Sequence, residues 1–362
     1  MAAVTHRFVD ATDPSEIHAS ENRLGRVEML KRLLRAARFA HPGTKKRLRR
    51  RTATQFARCV LHLEAFRVWL GDPANPALQE TLALRPSLIT CAIHPYLNAD
   101  WRFEQRLEKI SEHYRLLSGR VGILRFIPPA SIALADVGGD IQVRLHNYVY
   151  TEHEGELTVS LYRGGQRLYS LTFTLGQIGG QLVAYVGALQ GLGSSEALEI
   201  YRSLTHLMHG LRPRDLLVTA FRLLCCSLGV ARILAISDRK RICSNSYHNS
   251  GTQIFSSFDN AWIECGGGAV DDAFFELSPR LVQRAAEDTP SRKRAQYRRR
   301  YAMIDAIAQQ IGDAVTHTTP YRDIKASNVN EFGSSLEPTP SRERAPVGDR
   351  PAKSQGAAIS SR

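Results

Sequence analysis

None of the six cysteines (Cys59, Cys91, Cys225, Cys226, Cys243, Cys265) sits in a C-x-x-C pair, and no spacing of a zinc site accompanies them. No window reaches 18 uninterrupted apolar residues, so a hydropathic membrane-spanning helix is not expected. The N-terminal "MAAVTHRFVDATDPSEIH" lacks the apolar centre of a secretory signal. Together these absences read as a cytosolic chain with reduced thiols, touching at most the inner face of a membrane. Also missing are a Walker A loop and a G-x-G-x-x-G fingerprint. A helix-turn-helix, a zinc finger and an RNA-binding signature are absent too, which disfavours nucleic acid as the partner.

What the chain does have is an ordinary apolar content and an excess of positive charge. Hydrophobic residues make up 43% of the 362, enough for a sizeable core. Against 35 Asp and Glu stand 48 Lys and Arg, a formal net charge of +13. That excess speaks of anionic partners, not of fold. Two runs concentrate it, "KKRLRRR" from Lys45 and "SRKRAQYRRRY" from Ser291. In the second, Arg292, Lys293, Arg294, Arg298, Arg299 and Arg300 can meet an anionic membrane surface; a solvated helix face is the commoner role of such a run.

Periodicity divides the chain. Residues 1–21 read as a polar arm and 317–362 as a Ser-, Pro- and Arg-rich disordered tail. Residues 22–120 form a helical region: Leu24, Val27, Leu30, Leu33 and Leu34 fall near one helix face, and "ADWRFEQRLEKISEHYRLLSG" repeats the pattern up to Gly119. An α+β core then covers 121–316. From Asp140 the period changes to two, in four strands of an antiparallel meander separated by "EHEGE", "RGGQ" and "QIGG". The last strand enters a glycine turn, then come helices at about Ser194–Gly210 and Arg214–Leu228. A compact strand, "ARILAISD", short strands and loops, and a basic terminal helix complete the core. The expected class is therefore α+β, a helical N-terminal third followed by a mixed, largely antiparallel sheet.

Two stretches are candidates for chemistry. In "QGLGSSE", Gln190, Gly191, Gly193, Ser194 and Ser195 sit where exposed backbone amides at a helix start can cradle an anion. A plain strand-to-helix turn with a serine cap accounts for the same residues. In "SYHNSGTQIFSSFDNAWIECGGG", Tyr247, Asn249, Asp259 and Trp262 mix aromatic surface with polar anchors, as a substrate pocket does. The competing reading is aromatic core on short strands, with Asp259 and Asn260 in a turn. No nucleophile–base pair or metal set emerges, and catalytic residues stay unassigned.

The order of strands, glycine turn, helix and strand is similar to the core of GNAT-type acyl-CoA transferases, where the pyrophosphate rests on turn amides. That similarity implies acyl-CoA as a cofactor. Here Gln190 is followed at once by Gly191, without the usual two spacers, and two helices stand where one is usual. Seven segments in order also resemble the VirK/YbjX family of bacterial proteins: "HPYLNADWRFEQRLEKISEHYRLL", "ELTVSLYRGGQRLYSLTFTL", "VGALQG", "GLRPRDLLVTAF", "ILAISDRKRI", "FSSFDNAWIECGG" and "RKRAQYRRRYAMID". The resemblance spans roughly Thr52 to Ile311. It implies a Gram-negative factor tied to virulence, envelope stress, placement of a surface protein and tolerance of cationic peptides. Two functions follow: an acyl-CoA-dependent transferase, or a non-catalytic adaptor docked on the anionic inner membrane or on a protein partner.

Overall fold

The computed structural model describes residues 25–41, 45–119, 131–147, 153–194, 196–242, 257–283 and 290–317. All of these residues belong to one compact unit.

Six helices precede the sheet: α1 (Arg26–Ala40), α2 (Lys46–Val60), α3 (Leu63–Leu70), α4 (Pro76–Leu84), α5 (Leu88–Ile93) and α6 (Phe103–Gly119). Helix α1 buries Met29, Leu33, Ala36 and Ala37, a stripe at i, i+4, i+7 and i+8. This face is rotated from the leucine-based expectation. Helix α1 packs against α2, α3 and α5, and Val27 is left 68% exposed. Helices α4 and α5 are too short for a 3.6-residue period to announce them. Pro76 supplies the first-turn residue of α4.

The sheet has eight strands: β1 (Ser131–Gly138), β2 (Ile141–His146), β3 (Leu157–Arg163), β4 (Gln166–Ile178), β5 (Gln181–Gly191), β6 (Arg232–Ile236), β7 (Gly268–Ala269) and β8 (Phe274–Leu277), in the order β1-β2-β3-β4-β5-β6-β8-β7. Every neighbouring pair is antiparallel except β5 and β6. Parallel neighbours need a long crossover, supplied by α7 (Ala197–Leu207) and α8 (Pro213–Ser227). Strand β1 escapes the period-two reading because register shifts at Ala133/Ala135 and Asp136/Gly138 break its alternation. Two helices follow β6, α9 (Phe258–Glu264) and α10 (Arg294–His317). The described part of the chain is thus α+β, with ten α-helices and a mixed sheet. None of its helices is long and apolar enough to cross a membrane.

One sheet face is apolar and packs on α8 and α10; the rings of Phe173 and Phe221 lie 4.9 Å apart there. The other face receives the N-terminal helices. Helix α6 lies on β4, where the Leu175 amide donates to His113 Nδ1 at 3.1 Å. Burial, then the positive charge of Arg85, pulls the His113 pKa down to about 3. Its folded pKa lies below the ordinary 6.5, so its stabilisation is full above pH 6.5 and is lost as pH falls toward 3. Between pH 7 and pH 5 this one group should cost about 2 kcal/mol, read from urea unfolding at both values. A His113→Gln chain should lose about one proton of that pH dependence.

Candidate functional site

In an ordinary half-exposed sheet the hydroxyl residues of β3 (LTVSLYR) and β4 (QRLYSLTFTLGQI) would face water. Here both faces are buried. Across the ladder Thr158 pairs with Thr172 and Ser160 with Ser170, and the two threonine hydroxyls lie 3.2 Å apart. The row continues to His146 and Arg144 on β2 and to Gln190 on β5. Thr158 and Ser160 are fully buried, and the Ser160 hydroxyl has no hydrogen-bond partner among the described residues. Enclosing so much polar surface is unfavourable unless it serves a bound polar group or water.

The charges around this row are fixed in place. Arg144 donates through Nε to Ser131 Oγ at 2.7 Å and through Nη1 to Gln142 Oε1 at 3.3 Å. Burial, then Arg144 and Arg167, lowers the His146 pKa to about 3, so its imidazole is neutral near pH 7. Tyr162 lies beside it, ring centroids 5.7 Å apart. The sequence hint to this site was the strict Thr-x-Ser and Ser-x-Thr alternation in β3 and β4. A pattern of period two cannot say whether its polar side meets solvent or protein.

Two chain segments cross the same face. Gly155 has φ +150°, and a Cβ there would sit 2.9 Å from the Phe173 backbone. Next to it Glu154 passes so tightly over Gly187 that any Cβ on Gly187 would collide with the Glu154 carbonyl oxygen. The Glu154 carboxylate accepts from Gln190 Nε2 at 3.0 Å. The His153 carbonyl then accepts the Leu97 amide at 2.7 Å, and the Ala99 amide reaches the Lys240 carbonyl at 2.8 Å. Lys240 also pairs with Asp100 and with Asp272, the latter at 3.1 Å. The helical region, the β2–β3 connection and the loop after β6 are thereby tied across the sheet.

Beside this crossing, β5 and β6 pair only over Val183–Val186 and Arg232–Ala235. Strand β5 runs on to Gly191, whereas the chain leaves β6 at Ser237, whose amide bonds to Ala273. The result is a notch at the carboxyl ends of two parallel strands, where open sheets with crossover helices hold their ligands.

The glycine turn lies at the end of β5. The Leu192 amide donates to Tyr201 Oη at 2.6 Å, and that hydroxyl donates to the Leu168 carbonyl at 3.1 Å. Gly191 leaves room for these tyrosines: a Cβ there would lie 2.7 Å from Tyr201 Oη and 2.9 Å from the Tyr169 ring. Gly193 faces open space, and no hydrogen bond within the described residues takes the amides of Gly193 or Ser194. The N-cap of α7 is Glu196, without a side-chain cap bond; the Ser194 carbonyl accepts the Ala197 amide, and Ser195 lies outside the described residues. Beside the turn a cavity of about 450 Å³ is lined by Tyr169, Tyr201, Arg202, Arg212 and Arg214, among others.

Tyr247 and Asn249 also fall outside the described residues. Asp259 and Asn260 lie in the first turn of helix α9 and not in a free turn, because Ser257 caps that helix by accepting the Asn260 amide at 3.1 Å. Asp259 accepts the Asp238 amide at 2.7 Å, and Asp238 in turn accepts Ser257 Oγ at 2.6 Å and the Phe258 amide at 2.9 Å. Buried Arg241 reaches Asp238 at 3.2 Å and lies over the Phe258 ring. Trp262 is buried, its indole donating to the Ile236 carbonyl at 2.9 Å. This cluster anchors α9 to the end of β6. Of the basic run, Arg292, Lys293, Arg294, Arg298 and Arg299 are exposed, while Arg300 donates to the His209 carbonyl at 2.9 Å. No group of three metal-ligating side chains occurs among the described residues.

Fold and site define an α+β protein with a notched mixed sheet and an enclosed polar face. The chain belongs to the family described as "Protein of unknown function (DUF535)", which matches residues 44–313 and is the VirK/YbjX family. It is 29% identical over 254 residues to the "Uncharacterized protein YbjX" of Escherichia coli, covering 67% of this chain and 77% of that one. An "Uncharacterized protein" of Haemophilus influenzae is 28% identical over 219 residues, 60% of this chain and 72% of its own length. The "Membrane protein LapB" of Mannheimia haemolytica is 26% identical over 167 residues, 46% of this chain and 72% of the relative. No solved structure matches.

Proposed function

We propose that this chain is an acyl-CoA-dependent transferase with a GNAT-like core, serving the envelope-related virulence role that its family resemblance implies. One observation carries the reading: parallel β5 and β6 part at their carboxyl ends, and the glycine turn and α7 start at that opening. The residues present fit the pyrophosphate of coenzyme A in part. The Gly193 and Ser194 amides are open to a ligand, but the Leu192 amide is already bound to Tyr201. Arg202, Arg212 and Arg214 supply positive charge beside the turn, though Arg212 and Arg214 are shared with Asp215 and Glu264. Acyl-CoA supplies an activated thioester; the chain supplies a polar surface for the acceptor and, in Glu154 beside Gln190, a carboxylate able to take a proton from an amine.

The test is thermal unfolding of the full chain with acetyl-CoA and longer acyl-CoAs. At about 100 times its dissociation constant a ligand adds roughly 2.7 kcal/mol, a midpoint rise of several degrees. Gly193→Val should abolish the rise and leave the unliganded midpoint unchanged. No rise with any acyl-CoA would sink the reading.

A second reading, an adaptor on the anionic membrane face or on a protein partner, draws on the exposed Arg292, Lys293, Arg294, Arg298 and Arg299. The name "Membrane protein LapB" of a relative agrees with it. It expects salt-sensitive binding to anionic vesicles that is lost when these residues become glutamine.

A further inference from the structure

Helix α2 is electrically anomalous. Its sequence KRLRRRTATQFARCV opens with five cations in its first six residues, where the helix dipole already presents positive charge, and no acid sits in the first turn. One side of the helix, together with His41 and His94, borders an open cavity of about 800 Å³ lined by the exposed Lys46, Arg47, Arg50, Arg51, Thr54 and Arg58 and by buried Gln55. No carboxylate is among the described residues that line it. None of the lining lysine and arginines forms an ion pair among the described residues, although arginines elsewhere do.

The floor supplies an independent observation. Gln55 is only 3% exposed, its Oε1 is held by His94 Nε2, and its Nε2 is buried without a hydrogen-bond partner among the described residues. A buried amide donor left unmade is costly in a folded protein. Here it belongs to a residue lining a cavity ringed by guanidinium groups, which bind phosphate oxygens in forked pairs. The Thr54 hydroxyl adds a neutral donor. The volume is far larger than a lone phosphate needs and falls in the range of small-ligand sites.

We propose that this α2 cavity binds a phosphorylated ligand carrying at least two negative charges, with Arg47, Arg51 and Arg58 on its phosphates and Gln55 donating from the floor. The site is separate from the glycine turn and does not depend on the acyl-CoA reading. A soluble diphosphate and a phosphorylated lipid headgroup share this chemistry, and the experiment tells them apart.

The full chain is titrated calorimetrically with inorganic pyrophosphate, and separately floated with neutral vesicles with and without phosphatidic acid. Saturable one-to-one binding of pyrophosphate is expected. It should weaken at least tenfold in Arg51→Gln and in Arg58→Gln, and fall below detection in Gln55→Glu, which sets a carboxylate where the amide was. Because Gln55 is buried, the thermal midpoint of that variant is measured too; the arginine variants decide the matter if it fails to fold. Binding only to phosphatidic acid vesicles, lost in the same arginine variants, identifies a lipid phosphate as the ligand and upholds the site. Absence of both kinds of binding overturns it. So does an equal loss in Arg298→Gln/Arg299→Gln on α10, since the attraction would then be diffuse charge.

Discussion

Gly187→Val should remove most of the stability of this fold, on the order of 4–5 kcal/mol, and lower the thermal midpoint by about 10 °C or more. A Cβ at this position meets the Glu154 carbonyl oxygen, and behind it the Glu154 carbonyl carbon at 2.9 Å and Cα at 3.2 Å. These are backbone atoms, held by the neighbouring Glu156 amide bonding to Phe173 at 3.0 Å and by the Leu97 amide bonding to His153. Neither can withdraw without breaking the crossing. The register shift in β4–β5 at this level, where Thr172 pairs with Ala188 and Phe173 with Val186, turns Gly187 out of the ladder as a bulge. Space is the constraint, so Gly187→Ala should be nearly as damaging. Gly193→Val, facing open space, should leave the midpoint where it is. Thermal melts of the three variants make the comparison, and a Gly187→Ala chain melting like the parent would show that the crossing yields.

Removing the guanidinium of Arg85 should cost about 3–5 kcal/mol, because it strands a charge. The Glu156 side chain is fully buried and accepts hydrogen bonds from Arg85 and, at 2.7 Å, from the Tyr114 hydroxyl. Burial, then the Glu156 charge, raises the Tyr114 pKa, which keeps the phenol protonated as a donor. Arg85→Met leaves the carboxylate with one neutral donor in a region of low dielectric. Arg85→Met/Glu156→Gln removes the charge as well and should recover more than half of the loss. Urea unfolding of the two singles and the double gives the coupling directly. Additive losses would mean that the pair does not act as a unit. Arg85 lies between α4 and α5 and Glu156 at the start of β3, so the pair also fastens the helical layer to the sheet.

These two contacts mark the limit of what local pattern reveals. Helix α6, the meander from β2 to β5, the α7–α8 crossover and the α10 helix are written in periods of 3.6 or two residues, and in glycine turns between them. The "RGGQ" and "QIGG" turns owe their legibility to Gly164, Gly165, Gly179 and Gly180, all at positive φ. Gly187 looks no different in the sequence, yet its reason is an approach by a residue far from it in the chain, Glu154. Helix α9 has too little local signal to stand out, one cap, Ser257, before only seven helical residues.

The candidate site divides in the same way. The glycine turn was visible as a strand running into a helix, but the use of its Leu192 amide by Tyr201 depends on how α7 folds back. Asp259 and Trp262 were visible as polar and aromatic residues, whereas their service to Asp238 and Ile236 is a tertiary fact. The hydroxyl row of Thr158, Ser160, Ser170 and Thr172 was readable as one face of two strands.

By itself the sequence determined the family, the α+β class, the excess of positive charge and most of the elements, since each of these is carried by composition or by neighbours a few residues apart. Only the tertiary structure decided that the polar face of the sheet is enclosed as well as the apolar one, where β5 and β6 part, and that Gln55 and the α2 arginines line one cavity. Those features are made by groups brought together from separate elements, and no local period records such a meeting.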